Sequence, residues 1–125
     1  MILVLIVVCT FVILSMLGIL AKYFKLELVR VEGMSMYPTL KPKRPLLIRK
    51  RLNLQKDLKP GNIFVYTCPN GYSVVKRLDK LVFANGTFYL WFLGDNPPVS
   101  SDSREYGYVG VENLEGIVVF NKKKE

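Results

Sequence analysis

Residues 2–21 (ILVLIVVCTFVILSMLGILA) carry no charge, and only Thr10 and Ser15 among them bear hydroxyls. No other feature constrains the chain so strongly. In helical form, at ~1.5 Å per residue, the run extends about 30 Å, which is the hydrocarbon thickness of a bilayer. The rest of the chain is too short to surround such a helix as a buried core. A cleavable signal peptide has a basic n-region, a shorter apolar core and a small-x-small cleavage site. Here no Lys or Arg precedes the run, and Gly18-Ile19-Leu20-Ala21 is a poor site. The expectation is an uncleaved transmembrane anchor over residues 1–22, followed by one domain over residues 23–125.

All 18 Lys+Arg and all 10 Asp+Glu lie outside the apolar run, so the net charge of +8 belongs to the domain. Lys22, Lys25 and Arg30 follow the anchor closely. Taken alone, the positive-inside bias would place the domain in the cytoplasm. The chain has no histidine. That excludes a Ser-His-Asp triad, a Cys-His dyad and any imidazole metal site. Cys9 and Cys68 are 59 positions apart, one in the apolar run and one in the polar part. Neither a disulfide nor a cysteine zinc cluster is expected, and no metal or other cofactor is implied.

Beyond the anchor, short runs of β-formers alternate with turn signals. Candidate strands are Leu26–Glu32, Pro45–Arg49, Ile63–Thr67, Tyr72–Leu78, Leu81–Ala84, Thr87–Leu93 and Gly116–Asn121, with Lys122–Glu125 as a charged tail. Asn85-Gly86 is a hairpin signal between two of them. No stretch after Ala21 keeps a helical period. The fold class expected is mostly β: a small folded sheet or barrel behind one N-terminal transmembrane helix. Residues 94–108 (GDNPPVSSDSREYGY) break the strand pattern. A loop this long in a compact domain is often functional.

Without histidine, a neutral lysine is one of the few groups able to activate a hydroxyl. Ser35 sits between Gly33, which permits close backbone approach, and Pro38, which cannot continue a strand. By residue type it reads either as a turn residue or as a nucleophile. Lys76 lies inside an apolar strand, where alternation puts Val74, Lys76 and Leu78 on one face and Val75 and Arg77 on the other. If that first face is the core, burial favours the neutral amine. Otherwise Lys76 snorkels at a sheet edge. The 94–108 loop offers Asp95, Ser100, Asp102 and Arg104 as polar support, or else is simply solvated. Arg104 is spaced to neutralise Asp102.

Together these segments resemble the type I signal peptidases, membrane-anchored Ser-Lys endopeptidases that remove signal peptides. Gly33-Met34-Ser35-Met36-Tyr37-Pro38-Thr39-Leu40 looks like the family's nucleophile box, and Val74-Val75-Lys76-Arg77 looks like its general-base box. Gly94-Asp95-Asn96 followed by Ser100-Ser101-Asp102-Ser103-Arg104 is similar to its third box in residues and spacing. Lys59-Pro60-Gly61-Asn62-Ile63-Phe64-Val65-Tyr66 is similar to the strand preceding the base. The resemblance implies a mostly-β, signal-peptidase-like catalytic domain with Ser35 as nucleophile and Lys76 as general base. It further implies that Ser100 holds the Lys76 amine, that Asp102 ties down Arg104, with Arg77 as a second candidate partner, and that Ser35 N–H enters an oxyanion hole. Val31, Leu40 and Val75 are the expected walls of pockets for small substrate residues, of the Ala-x-Ala type.

Two departures stand out. Gly33 occupies the position where some members carry a second, side-chain oxyanion donor. The family's usual turn after the base is replaced by Leu78-Asp79-Lys80-Leu81-Val82. The implied partners are preprotein signal peptides and the lipid bilayer, with anionic lipid and a partner subunit as further candidates; nucleic acid is not expected. Eight basic residues against one acid in Lys41–Lys59, with Lys122–Lys124, fit anionic headgroups. The resemblance places the domain on the extracytoplasmic side of a bacterial plasma membrane, or alternatively at a mitochondrial inner membrane, against the charge bias. The rival reading is an anchored β-domain that binds signal sequences or anionic lipid without cutting.

Overall fold

The computed structural model describes residues 1–120. The expected tail Lys122–Glu125 and the end of the last expected strand lie outside them. The chain opens with helix α1 (Ile2–Phe24) and continues through strands β1 (Leu26–Arg30) and β2 (Pro45–Arg49) to a single-turn helix α2 (Leu54–Asp57). Strands β3 (Ile63–Thr67), β4 (Ser73–Ala84) and β5 (Thr87–Leu93) follow. A second single-turn helix, α3 (Ser103–Tyr106), precedes β6 (Val109–Gly110) and β7 (Leu114–Val118). The strands form one seven-stranded antiparallel sheet in the order β1-β2-β7-β3-β4-β5-β6.

Helix α1 is long and apolar enough to cross a membrane, and none of its residues is buried against the domain. It outruns the apolar segment because Lys22, Tyr23 and Phe24 continue the turn until Lys25, at φ 52°, ends it. The domain grips this end. Lys50 N–H donates to Lys25 O at 3.0 Å, and the Arg51 guanidinium lies 4.5 Å from the centre of the Tyr23 ring. Tyr23 and Phe24 at the helix end, beside Arg49, Lys50 and Arg51, match the aromatic and basic composition of a membrane interface.

Strand β3 is buried from Ile63 to Tyr66 because it is covered on both faces. Phe64 and Tyr66 join Leu78, Leu90 and Phe92 in one cluster, while Ile63 and Val65 join Val31, Met36, Leu40, Ile48 and Val118 in another. The two clusters occupy opposite faces, as the period-2 alternation requires.

Four elements differ from the sequence expectation. Strand β1 ends at Arg30 rather than Glu32, because Val31 leaves the sheet to pack in the second cluster and Gly33 turns the chain at φ +79°. Tyr72–Leu78 and Leu81–Ala84 are one strand, β4. Leu78 pairs with Phe92 and Lys80 with Trp91, so Asp79 is taken up in a bulge. The bulge moves the inward positions from even to odd, and Leu81 rejoins the cluster that holds Leu78. The last strand starts two residues before Gly116, because Leu114 pairs with Tyr66 across a second irregularity. The 94–108 segment is not structureless: it contains a 3-10 turn (Pro97–Val99) and α3, and leads into β6 against β5.

Candidate active site

Between β1 and β2 the chain makes a tight excursion through Ser35. Tyr37 N–H donates to Met34 O at 3.1 Å, and Leu40 N–H donates to Met36 O at 2.9 Å. The Tyr37–Pro38 peptide is cis. The Met36 side chain, 1% exposed, plugs the turn into the second cluster, and its sulfur accepts Asp95 N–H at 3.4 Å. Ser35 itself is half-buried and sits at the top of this anchored turn.

Lys76 stands on β4 with Val74 and Leu78 on the same face and Phe64 as its cross-strand partner. Only 5% of it is exposed. Its Nζ donates to Ser35 Oγ at 2.6 Å and has no other hydrogen-bond partner among the described residues. Burial pushes the amine below the ordinary lysine range, and the negative charge of Asp102 and the nearby Cys68 oppose that shift only in part. The position therefore favours the neutral amine more than solvent does.

The third segment clamps the other two. Asp95 accepts Arg77 Nε at 2.9 Å, Arg77 Nη2 at 2.7 Å and Thr39 Oγ1 at 2.6 Å. This carboxylate joins the Ser35 turn to the strand of Lys76. Gly94 lies so close to the turn that a Cβ there would come within 2.8 Å of Ser35 O and 2.0 Å of Ser100 Oγ. Asp102 is fully buried and accepts five hydrogen bonds: from Arg104 Nε, Nη2 and N, from Ser100 Oγ and from Gly94 N. Burial alone would raise its pKa, but these donors, led by the Arg104 guanidinium, hold it well below the usual carboxylate range.

Ser35 and Lys76 thus meet, and Asp102 holds Arg104 as the resemblance implies. Three placements differ. No hydrogen bond joins Ser100 to the Lys76 amine among the described residues; the Ser100 hydroxyl donates to Asp102 Oδ2 at 2.7 Å, which leaves its oxygen free to accept. Arg77 pairs with Asp95, not Asp102, because strand alternation sends it to the face opposite Lys76. Val31 and Leu40 line a cleft of about 450 Å³ together with Leu28, Thr39 and Leu46, but Val75 does not reach it and packs against the second cluster instead.

Thr39, Met36 and Asn96 carried no role in the sequence reading although all three lie inside the quoted motifs. The one available signal was a hydroxyl at position 39 in an otherwise apolar Met-Tyr-Pro-Thr-Leu run. Thr39→Val is expected to destabilise the chain by about 2 kcal/mol, since a buried hydrogen bond to a charged acceptor is lost. An unchanged denaturant midpoint in the variant would mean that the Thr39–Asp95 bond contributes nothing net.

A family model described as signal peptidase, peptidase S26, matches residues 3–79. The match takes in α1, the Ser35 turn and Lys76, and ends before the 94–104 segment. No curated protein matches the chain.

Proposed function

The chain belongs to the signal peptidase family, peptidase S26, and from that footing we propose that it is a membrane-anchored endopeptidase working through a Ser35–Lys76 dyad. The observation that carries this reading is the 2.6 Å contact between Ser35 Oγ and the amine of a lysine that is only 5% exposed. Neutral Lys76 takes the hydroxyl proton as Ser35 Oγ attacks the scissile carbonyl. The resulting ammonium then delivers that proton to the leaving amine. Water, deprotonated by the same lysine, then attacks the acyl carbon; the bond to Ser35 Oγ breaks, and that oxygen regains its proton from Lys76.

The substrate is a preprotein whose signal peptide ends in small residues. It lies extended beside the Ser35 turn, with the cleft between Val31 and Leu40 as a docking surface for apolar side chains. Helix α1 spans the bilayer, and the domain faces the side on which translocated preproteins emerge. Lys22, Lys25, Arg49, Lys50 and Arg51 near the helix end favour anionic headgroups.

The test is cleavage of a preprotein bearing an Ala-x-Ala site by the full chain in detergent, with product termini read by mass spectrometry. A single cut after the second alanine, absent with Ser35→Ala, is the expected result. Binding of the preprotein without any cut would replace this reading with that of a signal-sequence-binding domain.

A further inference from the structure

Ser35 N–H donates to no group among the described residues. Beside the turn's own bond from Tyr37 N–H to Met34 O, one residue on the facing loop bears on its direction. Asn96 Nδ2 donates to Met34 O at 2.9 Å, and Asn96 N–H donates to Ser35 O at 2.8 Å. These two bonds hold both peptide planes that flank Ser35. The Met34–Ser35 peptide is trans, so its C=O and N–H point in opposite directions. Drawing Met34 O toward Asn96 therefore turns Ser35 N–H away from the Gly94–Asn96 segment and leaves it unengaged.

We infer that Asn96 is the positioning residue for the oxyanion donor: it fixes the Met34–Ser35 peptide plane so that Ser35 N–H is preoriented for the oxygen that gains charge when Ser35 attacks. Preorientation matters because a donor already aimed at the developing charge needs no reorganisation during the reaction. It matters more here because Gly33 contributes no side-chain donor beside Ser35. The turn's own bond from Tyr37 N–H to Met34 O remains when the Asn96 side chain is removed. The turn then survives while the peptide plane loosens. The inference rests on the Ser35–Lys76 reading above.

The test uses Asn96→Ala and Asn96→Asp in the full chain in detergent. Both keep the backbone bond to Ser35 O. The aspartate keeps the volume but sets a carboxylate against Met34 O, so it holds the carbonyl no better than alanine. Two ligands separate the effects. A peptide aldehyde adds Ser35 Oγ to its carbonyl carbon, with the hydroxyl proton passing to the former aldehyde oxygen, and that oxygen occupies the oxyanion position. A peptide with proline after the scissile bond binds without reacting.

The expected result for both variants is a fall in kcat of about 10–100-fold with KM within about twofold. Aldehyde affinity falls in parallel, the proline peptide binds as to the wild type, and the acid limb of the pH–rate profile stays in place. A raised KM with kcat preserved, equal weakening of both ligands, or unchanged aldehyde affinity would overturn the inference. If Asn96→Ala melts early, Asn96→Asp with a wild-type melting curve decides the matter. Failure of the Ser-Lys reading looks different: the wild type itself then neither cuts nor responds to the aldehyde.

Discussion

Lys76→Met is expected to lose about 10⁴-fold or more of the cleavage rate while folding at least as well as the wild type. Methionine matches the length and apolar stem of lysine and suits the surroundings formed by Phe64, Val74 and Leu78, so the packing survives. What disappears is the group that takes the proton from Ser35 Oγ, and no histidine is present to replace it. The stability change carries the sign of the pKa shift. Burial lowers the folded-state pKa of Lys76 below its unfolded value. Between those two values the unfolded chain binds more protons, so wild-type stability rises with pH across that window. Below the lowered pKa the folded state must hold a charged amine in an apolar place, and the wild type is then at its greatest disadvantage relative to methionine. The excess stability of Lys76→Met should therefore be largest at mildly acid pH and shrink toward alkaline pH. Denaturant midpoints of both chains in detergent at two pH values read this directly. A gap that widened with rising pH would show that Lys76 is stabilised in its charged form, and would remove the basis for its role as a base.

The same shift fixes the form of the rate profile. Cleavage by the wild type should climb with pH as Lys76 loses its proton, with a midpoint below the ordinary lysine range. Lys76→Arg, which cannot lose its proton in this range, should be as inactive as Lys76→Met.

Much of this arrangement is legible in the sequence, for reasons that differ from residue to residue. The inward face of Lys76 follows from alternation alone, because Val74 and Leu78 flank it at the spacing of a strand. Strand β3 is recognisable from a continuous apolar run, and the β4–β5 hairpin from Asn85-Gly86, both of which adopt positive φ. The bulge at Asp79 is not legible: a charged residue between Leu78 and Lys80 looks like a break, and only the pairing with Phe92 and Trp91 shows the strand continuing. Which carboxylate takes Arg77 is equally hidden. Alternation tells that Arg77 and Lys76 face opposite ways, but the path of the 94–104 segment decides that Asp95 lies on one side and Asp102 on the other. The bond made by Ser100 is hidden for a related reason. Its sequence position suits a contact with the lysine, but the sequence does not show that its hydrogen goes to the carboxylate two residues away.

Asp102→Ala is expected to be the most damaging change outside the dyad, costing roughly 3 kcal/mol and much of the activity. The carboxylate is fully buried and is the common acceptor for Arg104, Ser100 and the backbone N–H of Gly94. Alanine leaves the half-buried Ser100 hydroxyl and the buried Gly94 N–H without this acceptor, and a stranded donor costs more than a formed bond contributes. The loss is not confined to stability, because Gly94 lies directly against Ser35 O and any shift of its backbone moves the turn that carries the nucleophile. Asp102→Asn separates charge from shape. It keeps the volume and one acceptor oxygen, but weakens the bonds from Arg104 and sets an NH₂ toward donors, so an intermediate loss is expected. Acid provides the independent check. The Asp102 carboxyl is held below its unfolded value, so its contribution is fully present above the ordinary aspartate range and is lost as pH falls toward the lowered folded-state value. The wild type should therefore lose more stability than Asp102→Asn between neutral and strongly acid pH, until the two curves converge. Parallel curves over that range would mean that the charge of Asp102 does not hold the segment, and that Ser100 and Gly94 are kept in place by packing alone.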